Sequence, residues 1–204
     1  MNINIETFNN WAKVNKDQSM EKGHSYSVNK MFEILKEKTN LLESTFSFID
    51  IGCGNGWVIR KVLKNPHCHY ALGIDGADRM IKKALHYKTG DFIKTDIESF
   101  KFKKKFDIIF SMETFYYLKN IENFIDNLYN KGIKDKGSMI IGIDHYKENA
   151  STLKWEEEYN LKTQTLSIKE WYKKLSKHDF SEIKIYQHGA KKNWEGTLIL
   201  YARK

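Results

Sequence analysis

The chain has 204 residues, the size of one domain, and its 41% hydrophobic content predicts a folded core and excludes a disordered chain. It contains no apolar run of the roughly 18 residues that a membrane span needs, and no apolar segment of signal-peptide length near its start, so we expect no membrane association. The net charge of +8 raises nucleic acid as a partner, but only three of the 34 basic residues are arginines, the side chain on which specific nucleic-acid recognition relies.

The two cysteines, Cys53 and Cys68, form no CxxC pair and no disulfide framework. Reduced, unpaired cysteines are typical of the cytoplasm, so we expect a cytoplasmic protein. Proline occurs once and no linker interrupts the chain, which predicts a single domain over residues 1–204.

Residues 1–42 precede the first predicted strand and have a helical pattern. Val28, Met31, Phe32 and Leu35 form an apolar stripe at helical spacing. We therefore predict an N-terminal helical extension over 1–42 and a core over 43–204.

Short apolar runs then alternate with helical patterns. The predicted strands are 46–51, 70–75, 92–96, 106–111, 138–143, 181–187 and 197–202. Several have no polar alternation, which is typical of strands buried on both faces of a sheet. Between them, apolar stripes predict helices around 121–128 and 168–175, the second beginning at a capping box of Ser167 and Glu170. The alternation predicts an α/β fold, with a doubly wound, mostly parallel sheet covered by helices on both faces.

The stretch "FIDIGCGNGW", residues 48–57, contains the end of the first predicted strand and then glycines at positions 52, 54 and 56. Glycine lets a ligand approach the main chain, and the following helix offers free N–H groups, so we expect a nucleotide-like ligand. The dinucleotide fingerprint GxGxxG requires a third glycine where Trp57 stands. Asp50 would repel a pyrophosphate but attract an ammonium or a sulfonium, which disfavours a nicotinamide oxidoreductase.

Acidic residues also follow the next two strands. Asp75 precedes Gly76 at the end of the second strand, and Asp96 follows Thr95 after the third. Ligands of doubly wound sheets bind at the carboxyl ends of the strands, so these acids are expected to lie together with Asp50.

This constellation resembles the class I methyltransferases that use S-adenosylmethionine. The resemblance covers roughly residues 46–204 and implies a seven-stranded sheet whose C-terminal strand is reversed. It also implies S-adenosylmethionine as cofactor and S-adenosylhomocysteine as product, with Asp50 near the amino group, Asp75 on the ribose hydroxyls and Asp96 on the adenine amino group. The cofactor-binding residues that it implies are Asp50, Gly52, Cys53, Gly54, Asp75, Gly76, Met80, Thr95, Asp96, Ile97, Ser111 and Met112.

The expected reaction is an in-line displacement that needs positioning and, for a protonated acceptor, a general base. The candidates for that base are His24, Glu113 and His145, which lie before the first strand, after the fourth and after the fifth. The histidines have no metal-ligand spacing, so we expect no metal. The acceptor is expected to contact aromatic side chains on the same loops, Tyr26, Phe115, Tyr116, Tyr117 and Trp155.

We expect methyl transfer to N or O of a small molecule, with the helical extension and a segment over 144–166 as lids. The residues leave two alternatives open, an RNA (tRNA) methyltransferase and a module that binds S-adenosylmethionine without catalysis. Nucleic acid is disfavoured because no Asp/Asn-Pro-Pro-Tyr segment follows the fourth strand and 204 residues leave no room for an RNA-binding module. A monomer or a homodimer is expected.

Overall fold

The structure is a computed structural model that describes residues 2–204. Its strands are β1 (Phe46–Ile51), β2 (Cys68–Asp75), β3 (Asp91–Lys94), β4 (Phe106–Met112), β5 (Ile133–Ile143), β6 (Glu182–His188) and β7 (Thr197–Arg203). They form one seven-stranded sheet in the order β3-β2-β1-β4-β5-β7-β6. Strands β1 to β5 pair in parallel, while β7 is antiparallel to both of its neighbours. The predicted fold, a mostly parallel sheet with a reversed C-terminal strand, is confirmed.

The helices are α1 (Ile3–Lys13), α2 (Lys16–Lys38), α3 (Trp57–Val62), α4 (Asp78–His86), α5 (Ile121–Asn127), α6 (Trp155–Tyr159) and α7 (Ile168–Leu175). A π-helical turn over Leu128–Gly132 continues α5 directly into β5. The capping box at the start of α7 is present, because the Ser167 hydroxyl accepts from the Glu170 N–H and the Glu170 carboxylate accepts from the Ser167 N–H. None of the helices within residues 2–204 has the length and apolarity to cross a membrane.

Two apolar layers lie on opposite faces of the sheet, and the alternation of side chains along β1 shows why. Phe46 and Phe48 pack with α2 and α3, whereas Ile49 and Ile51 pack with α5 and α7. All six residues of β1 are buried. This central strand therefore ends at a fixed position, and the residues that follow it are held by core packing on both faces.

Helix α1 packs against α4 and against the segment between β5 and α7. The Asn4 side-chain amide donates to the Lys162 carbonyl (2.8 Å), and its Oδ1 accepts from the Lys162 N–H (2.7 Å). One turn later the Thr7 hydroxyl donates to the Asn160 carbonyl (3.0 Å). These bonds tie the N-terminal helix to a loop more than 150 residues away along the chain.

Candidate functional site

A cleft lies at the carboxyl ends of β1, β2 and β4, where the strand order reverses. We call it the cleft. Its floor is the loop after β1, and its cover comes from α1 and α2, which contribute Ile5, Phe8, Met20 and His24. Sheets of this kind bind their ligands at this position.

The glycine turn after β1 is bare for a steric reason. Gly52 and Gly56 both have φ +77°, in the left-handed region that favours glycine. A Cβ on Gly52 would lie 1.9 Å from the Thr114 hydroxyl oxygen, and a Cβ on Gly56 would lie 2.5 Å from the Phe92 ring. The turn is also fixed to β2, because the Gly52 and Cys53 N–H groups both donate to the Ile74 carbonyl (2.8 and 3.0 Å). Gly52 and Gly54 line the cleft, and no atom lies within 4 Å of a Cβ position on Gly54, so the main chain at Gly54 is open to a ligand.

Asp50 lies at the inner wall of the cleft and is only 2% exposed. Burial, and after it the neighbouring charge of Asp75, raises the pKa of Asp50 well above its ordinary value, with no hydrogen-bond donor or cation offsetting the rise among residues 2–204. A buried carboxyl group in this state is stabilised by a cationic ligand.

Asp75 differs from Asp50 because it is hydrogen-bonded to the backbone. Its carboxylate accepts from the Gly54 N–H (2.9 Å) and the Ala77 N–H (2.7 Å). Burial raises the pKa of Asp75, and these backbone donors oppose the rise. The same side chain thus shapes the glycine turn and lines the cleft.

Ten of the twelve predicted cofactor-binding residues line the cleft, all except Thr95 and Ser111. Asp96 is exposed, and its carboxylate caps the turn at Ile97–Ser99 by accepting from the Glu98 N–H (3.1 Å). Ser111 is fully buried and donates to the Ile51 carbonyl (2.7 Å), so it links β4 to β1 and does not face the cleft. The Thr95 hydroxyl donates to the neighbouring Asp96 carbonyl (3.2 Å).

The lining of the cleft is acidic although the chain is basic. Seven of its side chains are carboxylates: Asp17, Glu21, Asp50, Asp75, Asp96, Glu98 and Glu113. No lysine or arginine lines it within the described part of the chain. A cationic ligand is therefore favoured here and an anionic one is disfavoured.

His24 and Glu113 line the cleft, and Asp144 lies next to them outside the lining; polar atoms of the three side chains lie within 4.8 Å of one another. We call these three residues the inner cluster. Glu113 has a left-handed backbone (φ 58°), which turns its side chain inward from the end of β4. Its Oε1 accepts from the Asp144 N–H (2.5 Å), and its Oε2 accepts from the Tyr116 hydroxyl (2.6 Å).

Burial dominates the protonation of this cluster. Burial, and then the charge of Asp144, raises the pKa of Glu113 well above its ordinary value. Burial raises the pKa of Asp144 to about 6, against a hydrogen bond from the Thr197 hydroxyl (2.6 Å). Burial lowers the pKa of His24 to about 4, and no hydrogen bond or charge opposes it within residues 2–204. At neutral pH, His24 is a neutral imidazole beside two closely spaced carboxyl groups.

The sequence predicted no metal site, and spacing along the chain could not have revealed this cluster, because its members come from three distant segments. Each Glu113 oxygen accepts one hydrogen bond, and one Asp144 oxygen accepts from the Thr197 hydroxyl.

His145, the third predicted base, lies outside the cleft lining and is fully buried. Its Nδ1 contacts the Thr152 carbonyl (3.0 Å), and its Nε2 contacts the Thr165 and Thr163 hydroxyls (2.8 and 3.1 Å). Both ring nitrogens therefore have partners within the segment after β5. His145 is not one of the proposed catalytic residues.

The predicted aromatic residues separate in the same way. Tyr117 lines the cleft, whereas Phe115 and Tyr116 are fully buried in the core. Trp155 lies behind the cleft, with its ring 6.4 Å from Tyr116. Tyr26 is 61% exposed and stacks on His188, away from the lining. Of the five aromatic residues predicted to contact the acceptor, only Tyr117 lines the cleft.

Sequence reasoning predicted a lid over residues 1–42 but named neither the α1 residues that line the cleft nor Thr114. Ile5 and Phe8 of α1 line the cleft, and Thr114 lies against Gly52. No motif marks these residues, because ordinary apolar and hydroxyl side chains acquire a role there only through the packing of α1.

The comparison with protein-family models matches residues 49–141 to the "Methyltransferase domain" family. This range begins inside β1 and ends inside β5, so it includes the glycine turn, Asp75, Asp96 and Glu113.

Two curated relatives are both named malonyl-[acyl-carrier protein] O-methyltransferases. The protein of Bacillus cereus is 28% identical over 174 residues, which is 81% of this chain and 63% of the relative. A second, from Ilyobacter polytropus, is 34% identical over 121 residues, 55% of this chain and 46% of the relative. The chain thus spans less than two thirds of the length of these relatives.

Solved structures share the whole fold at lower identity. The partner of the Haloferax volcanii Trm112 methyltransferase activator superposes with a TM-score of 0.80 at 19% identity, covering 96% of each chain. A methyltransferase of Thermotoga maritima, described as a possible histamine N-methyltransferase, superposes with a TM-score of 0.72 at 19% identity, covering 98% of each chain.

Proposed function

We propose that the chain, whose residues 49–141 match the methyltransferase domain family, transfers a methyl group from S-adenosylmethionine to a nitrogen or oxygen of a small molecule. The observation that carries the proposal is Asp50, a buried carboxyl group without a cation, facing a cleft whose floor is bare glycine backbone. The methionine part of S-adenosylmethionine supplies an ammonium, and its sulfonium supplies the electrophilic methyl group.

The donor set of the cleft fits this cofactor. We assign Asp50 to the amino group, Asp75 to the ribose hydroxyls, and Asp96 with Ile97 to the adenine. Asp75 suits the ribose because its carboxylate is already oriented by two backbone N–H groups and still lines the cleft. Met80 and Met112, both nearly buried, add apolar surface to the lining.

The chain's own contribution to catalysis is positioning and exclusion of water. Helices α1 and α2 cover the cleft with Ile5, Phe8 and Met20. We propose that residues 1–42 act as a lid and that the segment 144–166 holds this lid closed through Asn4 and Thr7. His24 and Glu113, the two predicted bases that line the cleft, are the proposed catalytic residues.

A small acceptor is supported by the shape and charge of the cleft. The helical cover restricts the space above the glycine turn, and the acidic lining opposes the phosphates of a nucleic acid. A cytoplasmic location and a monomeric or homodimeric state remain predictions, the first supported by two buried, unpaired cysteines.

Calorimetric titration with S-adenosylmethionine, S-adenosylhomocysteine and NADH tests the cofactor. We expect micromolar binding of both adenosyl ligands, about −8 kcal/mol, and no heat with NADH. Asp75→Asn, which keeps the shape and removes the charge, should weaken adenosyl binding by about 10-fold or more. Asp78→Asn is the matched control, because Asp78 lies three residues further along, outside the cleft lining, and pairs with Lys82 on the surface.

Binding of NADH without binding of either adenosyl ligand would reopen the oxidoreductase alternative. Adenosyl binding that leaves every acceptor unmethylated would support the non-catalytic module. Unchanged affinity in Asp75→Asn would remove the ribose role from Asp75.

A further inference from the structure

We propose that the methyl acceptor is an amine, bound as its ammonium form between His24 and Glu113 with Asp144 behind them. This inference rests on the proposed function and specifies the substrate class of the same site. It is argued from the charge of the cleft, the geometry of the inner cluster and the neutral state of His24.

The charge argument begins with the acidic side chains that already have partners. Asp17 pairs with Lys83 (2.5 Å), and Glu21 lies 3.7 Å from Arg60. Glu98 accepts from the Lys119 and Asn120 N–H groups (3.0 and 2.7 Å). These three carboxylates are therefore compensated by the chain itself.

Of the remaining acids, Asp50, Asp75 and Asp96 are assigned to the cofactor. Glu113 is left, and no basic side chain reaches it in the described part of the chain, since its partners are the Tyr116 hydroxyl and the Asp144 N–H. Asp144 adds a second carboxyl group, one oxygen of which accepts no hydrogen bond from residues 2–204. Two buried carboxyl groups without a cation favour a ligand that brings one.

The same geometry disfavours the other acceptor classes. A carboxylate acceptor would place a third acidic group beside Glu113 and Asp144, without an arginine or lysine in the lining to hold its charge. A phenol carries no positive charge and would leave the carboxyl pair uncompensated. An ammonium donates up to three hydrogen bonds and compensates the pair.

His24 completes the site because it lines the cleft and its neutral ring can accept a hydrogen bond from the bound ammonium. The ammonium passes one proton to the Glu113 carboxylate, the stronger base of the two because burial raises its pKa, and becomes a nucleophilic amine. The amine nitrogen then bonds to the methyl carbon while the sulfur–methyl bond breaks and its electron pair returns to sulfur. The methylated ammonium leaves, and Glu113 releases its proton to water, so charge and atoms balance.

The test uses the full chain saturated with S-adenosylhomocysteine and three probes on one scaffold, 2-phenylethylamine, 4-ethylphenol and 3-phenylpropanoate. Calorimetry at neutral pH should show binding of the amine at least about 10-fold tighter than binding of the other two. Tyramine, which has both an amine and a phenol, should be methylated on nitrogen when the product is analysed by mass spectrometry and NMR.

Glu113→Gln and His24→Gln are the variants that test the two contacts. Glu113→Gln should weaken amine binding about 10-fold or more and lower kcat, because the negative charge and the acceptor of the proton are both lost, and His24→Gln should weaken amine binding by a smaller factor. Glu157→Gln, on the exposed acidic run of α6, is the matched control and should leave both unchanged. Circular dichroism and the affinity for S-adenosylhomocysteine check that the variants are folded.

Several outcomes would overturn the amine assignment. These are binding of the phenol or the carboxylate as strongly as the amine, no preference among the three probes, O-methylation of tyramine, or amine binding that requires added Mg²⁺ or Zn²⁺. Failure of S-adenosylhomocysteine to bind at the outset would instead contradict the proposed function, so the two failures are distinguishable.

Discussion

At the scale of single residues, the glycine turn depends on the absence of a Cβ atom at Gly52. The space beside Gly52 that a Cβ would need is occupied by the Thr114 side chain, whose hydroxyl oxygen would lie 1.9 Å away. Gly54, two residues on, has φ +52° but no atom within 4 Å of its hypothetical Cβ. Alanine substitutions at Gly52 and Gly54 therefore distinguish the energetic cost of steric overlap from the cost of a left-handed backbone.

Gly52→Ala is expected to lower the free energy of unfolding by about 3 kcal/mol or more, because the clash adds to the cost of a left-handed alanine. Gly54→Ala carries the backbone cost alone, about 1 kcal/mol. Urea denaturation of both variants measures the difference. Equal losses of the free energy of unfolding in the two variants would mean that Thr114 moves aside at no cost and that its contact with position 52 does not affect stability.

The inner cluster predicts a pH-dependent stability that can be read from one variant. The pKa of Asp144 rises from 3.8 unfolded to about 6 folded, so the folded state binds the proton more tightly and loses stability as the pH rises between these values. Asp144→Asn removes this loss. The free energy of unfolding of the variant relative to wild type should increase by up to about 3 kcal/mol from about pH 4 to about pH 7.

His24 acts in the opposite direction over the same range. Its pKa falls to about 4 in the folded state, so its contribution to stability is lost as the pH falls through the range below 6.5. Both groups titrate in wild type, and the difference between Asp144→Asn and wild type reports Asp144 together with the effect of its charge on Glu113. If the difference in the free energy of unfolding between Asp144→Asn and wild type does not change from about pH 4 to about pH 7, burial does not raise the pKa of Asp144.

Sequence reasoning found the site residues whose signal is local. Asp50, Gly52 and Asp75 stand at strand ends, and a strand end can be located from an apolar run that stops. It did not find that His24, Glu113 and Asp144 meet, because their proximity depends on how α2 packs across the ends of β4 and β5. It also included His145 in the candidate set, since a residue that follows a strand gives no sign of whether its side chain points into the cleft or away from it.

At the scale of elements, the strands were predicted within a few residues, with β5 as the informative exception. It begins at Ile133, five residues before the predicted 138, because "IKDKG" is polar and shows no strand pattern. Phe106 of β4 pairs with Ile133, so the partner strand, which no local pattern reveals, extends β5. The helical nature of residues 1–42 was readable, but the contact of α1 with residues 160–162 was not.

Helix α1 is held in place over the cleft by few bonds, and Asn4 makes two of them. Asn4→Ala removes both hydrogen bonds to Lys162, a loss of about 1–2 kcal/mol from the closed arrangement. We expect S-adenosylhomocysteine to dissociate about 10-fold faster, as followed by stopped-flow tryptophan fluorescence, to which Trp57 in the cleft lining contributes. Asn10→Ala, on the exposed face of α1, is the control and should dissociate at the wild-type rate.

A dissociation rate that stays at the wild-type value in Asn4→Ala would show that the ligand leaves without movement of α1. The proposed lid would then be a fixed wall of the cleft, and its role would be limited to shaping the site.

At the scale of the whole molecule, positive charge is on the outside and negative charge is in the cleft. The net charge is +8, yet the cleft is lined by seven carboxylates. Two of the three arginines are used internally, since Arg60 donates to the Asn55 carbonyl (2.6 Å) and Arg203 to the Lys38 carbonyl (3.4 Å). The arginine forks that read bases are thus largely unavailable.

This separation predicts how the chain behaves with tRNA. We expect weak binding of tRNA at low ionic strength that is lost by about 0.15 M salt. The contacts would be charge interactions between surface lysines and phosphates, which salt screens. S-adenosylhomocysteine should not compete with the tRNA, and filter binding with labelled tRNA at several salt concentrations measures both effects. Tight binding that persists at physiological salt and blocks the cleft would favour the RNA alternative.

The bond between Asn4 and Lys162 has a consequence for how this sequence can change over evolutionary time. Asn4 contributes its side chain, but Lys162 contributes only its carbonyl and N–H, which every residue except proline possesses. Nearly any amino acid is therefore tolerated at position 162, while position 4 needs a side chain with both a hydrogen-bond donor and a hydrogen-bond acceptor. Among orthologues we expect an invariant column at 4 facing a variable one at 162, an asymmetry that covariation methods, which need both positions to change, would not detect as a contact.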